Sequence, residues 1–178
     1  PAQARLLCNR ESHIGADGLL LLGRIAEDEI SMRLYNSDGS LAEMSGNGIR
    51  CIAQAATMLY GHSGVVRYMV HSDAGLREVV VTPRDAEGSI VDASVDMGPI
   101  TALPEASNWA ALGVDAMRPV AHLSVGNPHA VVGVDDVKVV PLQQLGEMVP
   151  KINLEIVEPG PESNAITMRV HERGAGIT

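Results

Sequence analysis

The sequence predicts an α+β fold that is mainly strand, with one long helix in its first half and a break at Gly98-Pro99. Three observations predict it. Ile30, Met32 and Leu34 alternate with Ser31, Arg33 and Tyr35, the period-2 pattern of a half-buried strand. The period then changes: Ile49, Ile52, Ala53, Ala56, Leu59 and Tyr60 fall on one face of a helix. Beyond Gly61 the period reverts, with short apolar runs divided by turn residues. The break divides the chain into two halves, 1–98 and 99–178.

Taken in order, Pro1 to Leu7 runs without an initiator Met into an apolar stretch. Ile14-Gly15-Ala16-Asp17-Gly18 is a turn and Leu19 to Leu22 a strand. Glu27-Asp28-Glu29 turns the chain into the alternating strand, and Asn36-Ser37-Asp38-Gly39-Ser40 ends it. Ser45-Gly46-Asn47-Gly48 supplies the helix entry, and Gly61 is placed to cap its C-terminus. Val65 to His71, Leu76 to Thr82 and Ile90 to Met97 are strands, separated by Asp73-Ala74-Gly75 and by Pro83 to Gly88. Thr101 to Arg118 is a looser connection with room for a short helix. Val120 to Val125 and Ala130 to Val134 are strands around the turn Gly126-Asn127-Pro128-His129. Pro141 to Val149 is a short helix. Ile152 to Val157 and Ala165 to His171 are strands joined by Pro159-Gly160-Pro161. The last segment, Glu172-Arg173-Gly174-Ala175-Gly176, has a composition that usually leads into another element, so both ends are expected to continue.

Composition excludes several classes. The chain has 178 residues, 46% of them apolar, and a formal net charge of −9. Leu19–Leu22 is as long an uninterrupted apolar run as it contains, far short of a membrane span. A soluble, cytoplasmic protein is expected, with no membrane partner. The acidic balance, the absence of Phe and the single Trp109 argue against nucleic acid, which demands phosphate neutralisation and stacking platforms. Two cysteines, Cys8 and Cys51, suit a reducing compartment. The histidines fall in no zinc-binding spacing, so no metal is expected.

The sharpest chemical feature is the helix entry. The first turn leaves backbone N–H groups unpaired and carries partial positive charge, and Gly46 and Gly48 let a carboxylate or phosphate come close. A plain N-cap explains the same residues. Ser45 is either that capping hydroxyl or a proton donor at the helix entrance. Asn36, Asn127 and Asn153 stand at strand edges, where turn asparagines are common. Asn127-Pro128-His129 is more specific, because the proline aims both neighbours; His129 either tunes a proton-transferring group or is a solvated loop residue. Arg173, after Glu172, is either half of a surface pair or a planar donor for a carboxylate. Cys51 lies opposite the Ile49/Ile52 stripe and is expected to be an inert buried thiol.

Together these segments resemble the diaminopimelate epimerase family. The residues that carry the resemblance are Leu7-Cys8-Asn9-Arg10, Ile14 to Leu20, Arg33 to Ser40, Glu43 to Cys51, Val95 to Gly98, Ser124 to Val131 and Met168 to Gly176. They stand in the family's order across nearly the whole chain. The resemblance implies two similar halves, each a curved, mostly antiparallel sheet wrapped around a central helix, the second half incomplete here. It implies an active site in the cleft between them and a cofactor-independent, two-base inversion at an amino-acid α-carbon. One thiolate removes the α-proton and a second thiol protonates the opposite face. By position, Asn36, Gly46, Asn47, Asn127, Asn153, Glu172 and Arg173 become contacts to a small amino-acid substrate, with His129 and Glu172 tuning the acid/base pair. A homodimer is a possible assembly.

The chain departs from the family in three places. Ser45 stands at the position of the first catalytic cysteine. A thiol at a helix N-terminus reaches a pKa of about 4–7, which no alkanol approaches, so Ser45 is a donor rather than a base. The second cysteine is expected just beyond Thr178, which leaves the fragment alone inactive. A Gly-Asn-Asp-Phe-like segment is absent from the start, and the stretch before Asn153 is shortened. Three functions follow: epimerisation of LL-diaminopimelate to the meso form in lysine and cell-wall precursor synthesis; a related isomerase or dehydratase using a Ser/Cys pair; or a non-catalytic carboxylate-binding domain.

Overall fold

Leu19–Leu22 lies inside strand β1 (Gly18–Arg24), paired antiparallel with the alternating strand β2 (Glu29–Asn36), in a computed structural model that describes residues 1–87 and 89–178. Gly88, the last residue of the turn expected over Pro83 to Gly88, lies outside the described residues. The described chain divides into two units, Pro1–Gly98 and Pro99–Thr178.

The first unit opens with a short helix, α1 (Ala2–Leu7), where sequence indicated only an apolar run. A two-residue strand, β3 (Leu41–Ala42), folds back on β2, with Tyr35 opposite Leu41 and Leu34 opposite Ala42. Helix α2 (Gly46–Tyr60) follows and leads into β4 (Val66–Ser72), which runs parallel to β2. The antiparallel strands β5 (Gly75–Pro83) and β6 (Val91–Val95) complete the order β1-β2-β4-β5-β6, with β3 on β2. Every strand on that path touches α2, so the sheet curls about the helix. Ile49, Ile52, Ala53 and Ala56 meet Ile30, Met32, Tyr68, Val70, Val79 and Val81 in one core. Burying such side chains supplies about 25 cal/mol per Å² of apolar surface.

The sheet covers the helix on one face only, so the wrapping that the resemblance implies leaves its other face open. Leu59 remains 70% exposed and Met58 51%. At 3.6 residues per turn Leu59 lies roughly 80° round the helix from Ile49, at the margin of the apolar stripe. Cys51, also on the open face, is exposed rather than buried. At the C-terminus Gly61 adopts φ +73°, where the His62 N–H reaches the Thr57 carbonyl at 3.1 Å.

The second unit is a sheet ordered β12-β11-β10-β9-β8-β7. Its strands are β7 (Thr101–Ala102), β8 (Val120–Ser124), β9 (Pro128–Gly133), β10 (Asn153–Pro159), β11 (Ile166–Glu172) and β12 (Gly176–Ile177). Only β9 and β10 are parallel, and the connection between them carries helix α3 (Leu142–Met148). The region read as a loose connection holds β7 and a 3-10 turn, Trp109–Leu112. Trp109, Ala130, Val132, Leu142, Leu154 and Ile156 belong to its core. Helix α3 comes close to β11 at Gly146: a β-carbon there would overlap the buried ring of His171. Among the described residues no helix is long and apolar enough to cross a membrane.

Candidate functional site

In the first unit the candidate residues gather at the entry to α2. Ser45 has extended backbone angles, φ −143° and ψ 122°, and its Oγ accepts the Gly48 N–H at 3.0 Å. It is therefore an N-cap, and its oxygen is directed at the first helical turn. The Gly46 and Asn47 N–H groups, as first-turn amides, have no carbonyl four residues back within the helix. Gly48 is packed tightly, with the position of a β-carbon 3.2 Å from Ser45 Cβ and 3.3 Å from Leu20 Cδ2. At Gly46 the same construction meets only Met97, at 3.9 Å. Asn47 is exposed, and its Oδ1 accepts a hydrogen bond from Arg50.

Asn36 ends β2 and donates from Nδ2 to Ser40 Oγ at 3.0 Å. The Ser40 hydroxyl in turn donates to Asp38 Oδ1 at 2.6 Å. That bond, the Ser40 N–H and the Arg5 charge hold the Asp38 carboxyl below the usual carboxylate range. Asn36 thus belongs to a turn network whose members satisfy one another.

In the second unit the structure draws together residues far apart in sequence. His129 was read as part of a turn; it is the second residue of β9 and half-buried. The turn is shorter than expected, because Ser124 pairs with Pro128 and leaves three residues between the strands. Gly126 takes φ +100°, and Val125 N–H meets the Asn127 carbonyl at 3.3 Å. Parallel pairing sets Asn153 of β10 opposite His129. His129 Nε2 lies 2.8 Å from Asn127 Oδ1, and Asn153 Oδ1 accepts the Arg173 N–H at 2.9 Å. That last bond fixes the Asn153 amide, since an N–H can only meet its oxygen, and leaves Nδ2 directed toward His129 at 3.5 Å.

The partner of the other His129 nitrogen escaped sequence reasoning. Nδ1 lies 2.6 Å from Oε1 of Glu155, which is 6% exposed. Glu172, expected beside His129, is the half-buried last residue of β11, and its carboxylate makes no hydrogen bond or ion pair among the described residues. A signal for Glu155 existed in the pattern Asn153-Leu154-Glu155-Ile156: an acid two residues from Asn153 shares its face of the strand. Among the described residues no group of three or more His, Cys, Asp or Glu is placed to hold a metal ion.

Comparison with known proteins adds a family to this geometry. The family model described as diaminopimelate epimerase matches residues 1–103. A diaminopimelate epimerase of Thermosynechococcus vestitus is 37% identical over all of this chain and 68% of its own length. One from Geobacillus thermodenitrificans is 35% identical over all of this chain and 66% of its own length. The chain thus spans about two thirds of these relatives. Among solved structures, a probable proline racemase from Agrobacterium radiobacter with bound carbonate matches with a TM-score of 0.69 at 15% identity, over 99% of this chain and 61% of that one. A hydroxyproline epimerase from Agrobacterium vitis with bound trans-4-hydroxy-L-proline gives 0.66 at 16% identity, over 99% and 58%. These two likenesses concern the fold.

Proposed function

The chain belongs to the diaminopimelate epimerase family, a family of isomerases, and from that premise we propose that the protein inverts the α-carbon of LL-diaminopimelate to give the meso form. The reaction uses no cofactor and supplies a precursor for lysine and the cell wall. Inversion needs a base on one face of the α-carbon and an acid on the other, because a single base returns the proton to the side it left. Ser45, or a water beside it, protonates one face. As the hydroxyl gives its proton to the carbanion it takes one from that water, and the hydroxide so formed is neutralised when the other group releases the α-proton to solvent. An alkanol is too weakly acidic to stand ready as the alkoxide near neutrality, so the α-proton leaves to a second group on the other face, a cysteine in the family pattern. The first-turn amides of Gly46 and Asn47 receive a substrate carboxylate at the positive end of α2. Asn127, Asn153 and Arg173 hold the substrate's polar groups, as does Asn36. His129 and Glu172 adjust the acid/base pair.

The observation that supports this reading most is the set of amide donors in the second unit. With Asn127 Oδ1 and Asn153 Oδ1 both engaged, Asn127 has its NH2 group to offer and Asn153, whose Nδ2 lies 3.5 Å from His129, has a second N–H, the hydrogen-bonding character a carboxylate requires. Ser45 itself favours a second reading, a related isomerase whose unsymmetrical Ser/Cys pair deprotonates one face and protonates a leaving group. Incubating the full-length protein with LL-diaminopimelate in D2O separates the two. Epimerisation yields meso-diaminopimelate carrying deuterium at one α-carbon, and Ser45→Cys raises the rate. Loss of a substituent from the substrate, or exchange without any meso product, would overturn the first reading.

A further inference from the structure

We propose that Glu155 is a positioning residue: its buried carboxylate holds His129 as an imidazolium, which in turn holds the Asn127 side chain with its NH2 group turned out as a donor to substrate. The proposal rests on the reading of Asn127 as a substrate contact and adds the device that orients it.

Glu155 sits on β10 between Leu154 and Ile156, both in the core of the second unit. Only 6% of it is exposed. A carboxylate taken out of water is costly without a compensating charge, and replacing it by an amide or an aliphatic side chain would remove that cost. Among the described residues its one hydrogen-bonding partner is His129 Nδ1, at 2.6 Å, and its Oε2 is buried with none. A single cation at Nδ1 is then what balances this charge.

The other side of the ring points the same way. Nε2 faces an oxygen, Asn127 Oδ1, at 2.8 Å. An imidazole whose two nitrogens face a carboxylate and an amide oxygen must carry hydrogen on both, since a neutral ring has a single N–H to give. Asn153 Nδ2 is a donor and would suit a lone pair on Nε2, but it stands at 3.5 Å, against 2.8 Å for the Asn127 oxygen, and the nearer acceptor decides that Nε2 carries hydrogen. Glu155, His129 and Asn127 therefore form a chain in which each group fixes the next: carboxylate, imidazolium, amide oxygen. If the ring were neutral with its proton on Nδ1, the lone pair on Nε2 would draw in the Asn127 NH2 group and present the amide oxygen to the substrate instead. A carboxylate would then meet an acceptor where it needs a donor.

The test is nitrogen-15 NMR of the His129 imidazole in the full-length protein at neutral pH, with Glu155→Gln beside it. Expected are two protonated ring nitrogens in the native protein and one in Glu155→Gln, whose folding is checked by an unchanged backbone amide spectrum away from β9 and β10. A neutral ring in the native protein would overturn the proposal, as would a ring that stays doubly protonated in Glu155→Gln. The native measurement stands without the variant, should the variant fail to fold. Kinetics add a second readout: KM for LL-diaminopimelate rises about tenfold or more in Glu155→Gln, with kcat less affected, and an unchanged KM would contradict the link to Asn127. The ring spectrum needs no substrate, so it can fail while the epimerase reading stands, and stand while that reading fails.

Discussion

The β2–β3 hairpin of the first unit and the β11–β12 hairpin of the second are built alike and used differently. In the first, β2 turns through Asn36-Ser37-Asp38-Gly39-Ser40 so that Tyr35 pairs with Leu41. In the second, β11 turns through Glu172-Arg173-Gly174-Ala175 so that His171 pairs with Ile177. Both pairs are separated by the same length of chain. The first turn is closed on itself, through Asn36, Ser40 and Asp38. The second turn sends the Arg173 N–H across to Asn153 on the neighbouring strand. The same contrast runs through the cores. Among the described residues the first unit buries the Thr57 hydroxyl and the Tyr68 phenol, whereas the second buries Asn153, Glu155 and His171. A core of aliphatics wrapped on a long helix gives stability; strands that bury polar groups at this cost point to function.

The largest effects expected are those that attack each core in its own way. Ile49→Ala opens a cavity under α2 and should cost about 2–5 kcal/mol, read as a lower urea midpoint. Gly146→Ala should cost about 1–3 kcal/mol, or more, by forcing the His171 ring out of its place on β11. Adding His171→Ala should recover part of that loss, and no recovery would show that α3 and β11 are not in the contact described. Ser45→Ala should cost about 1 kcal/mol through the lost cap, while Ser45→Asn keeps the cap and removes only the hydroxyl. Equal loss of activity in both, with stability lost only in the first, separates the chemical role from the structural one. Gly61→Ala should cost about 1–2 kcal/mol because φ +73° is unfavourable to any side chain, although the space there is open.

The smallest effect is a pH dependence, read most simply in the first unit. Burial raises the Tyr68 phenol above its ordinary value near 10, so the folded state favours the neutral form. The stabilisation is whole below about pH 10, the unfolded value, and is lost as pH rises from there through the folded one. Tyr68→Phe should flatten this alkaline loss in a thermal-melt series, and an unchanged pH profile would remove Tyr68 as its source. Asp38 acts at the other end: its lowered carboxyl contributes above the ordinary aspartate range and ceases to as pH falls through its own.

Much of this architecture is legible in the sequence because it depends on local periodicity. The alternation in β2, the helical stripe of α2 and its Gly61 cap all arise within a few residues of one another. What escaped depends on pairing. Strands β3, β7 and β12 are two residues each, too short for a period, and exist because a neighbour offers a ladder. His129 looked like a turn residue because proline precedes it, yet β8–β9 pairing brings Pro128 and His129 into the strand. Glu155 went unnoticed because its partner is twenty-six residues away and meets it only through the parallel register of β9 and β10. The likeness between the β2 and β11 hairpins was equally hidden, since Asn36 and Glu172 share a position and little chemistry.

On the proposed reading Asn127 and Asn153 of the second unit offer amide donors to the substrate, while Asn36, also a substrate contact, shares its amide with the Ser40 hydroxyl of its own turn. Titrating the full-length protein with LL-diaminopimelate, and following side-chain amide signals by NMR, tests it directly. The account predicts that the Asn127 and Asn153 NH2 signals shift together along one saturation curve and lose exchange with water, with a smaller response at Asn36. Saturable binding that leaves both of those signals unmoved would contradict it.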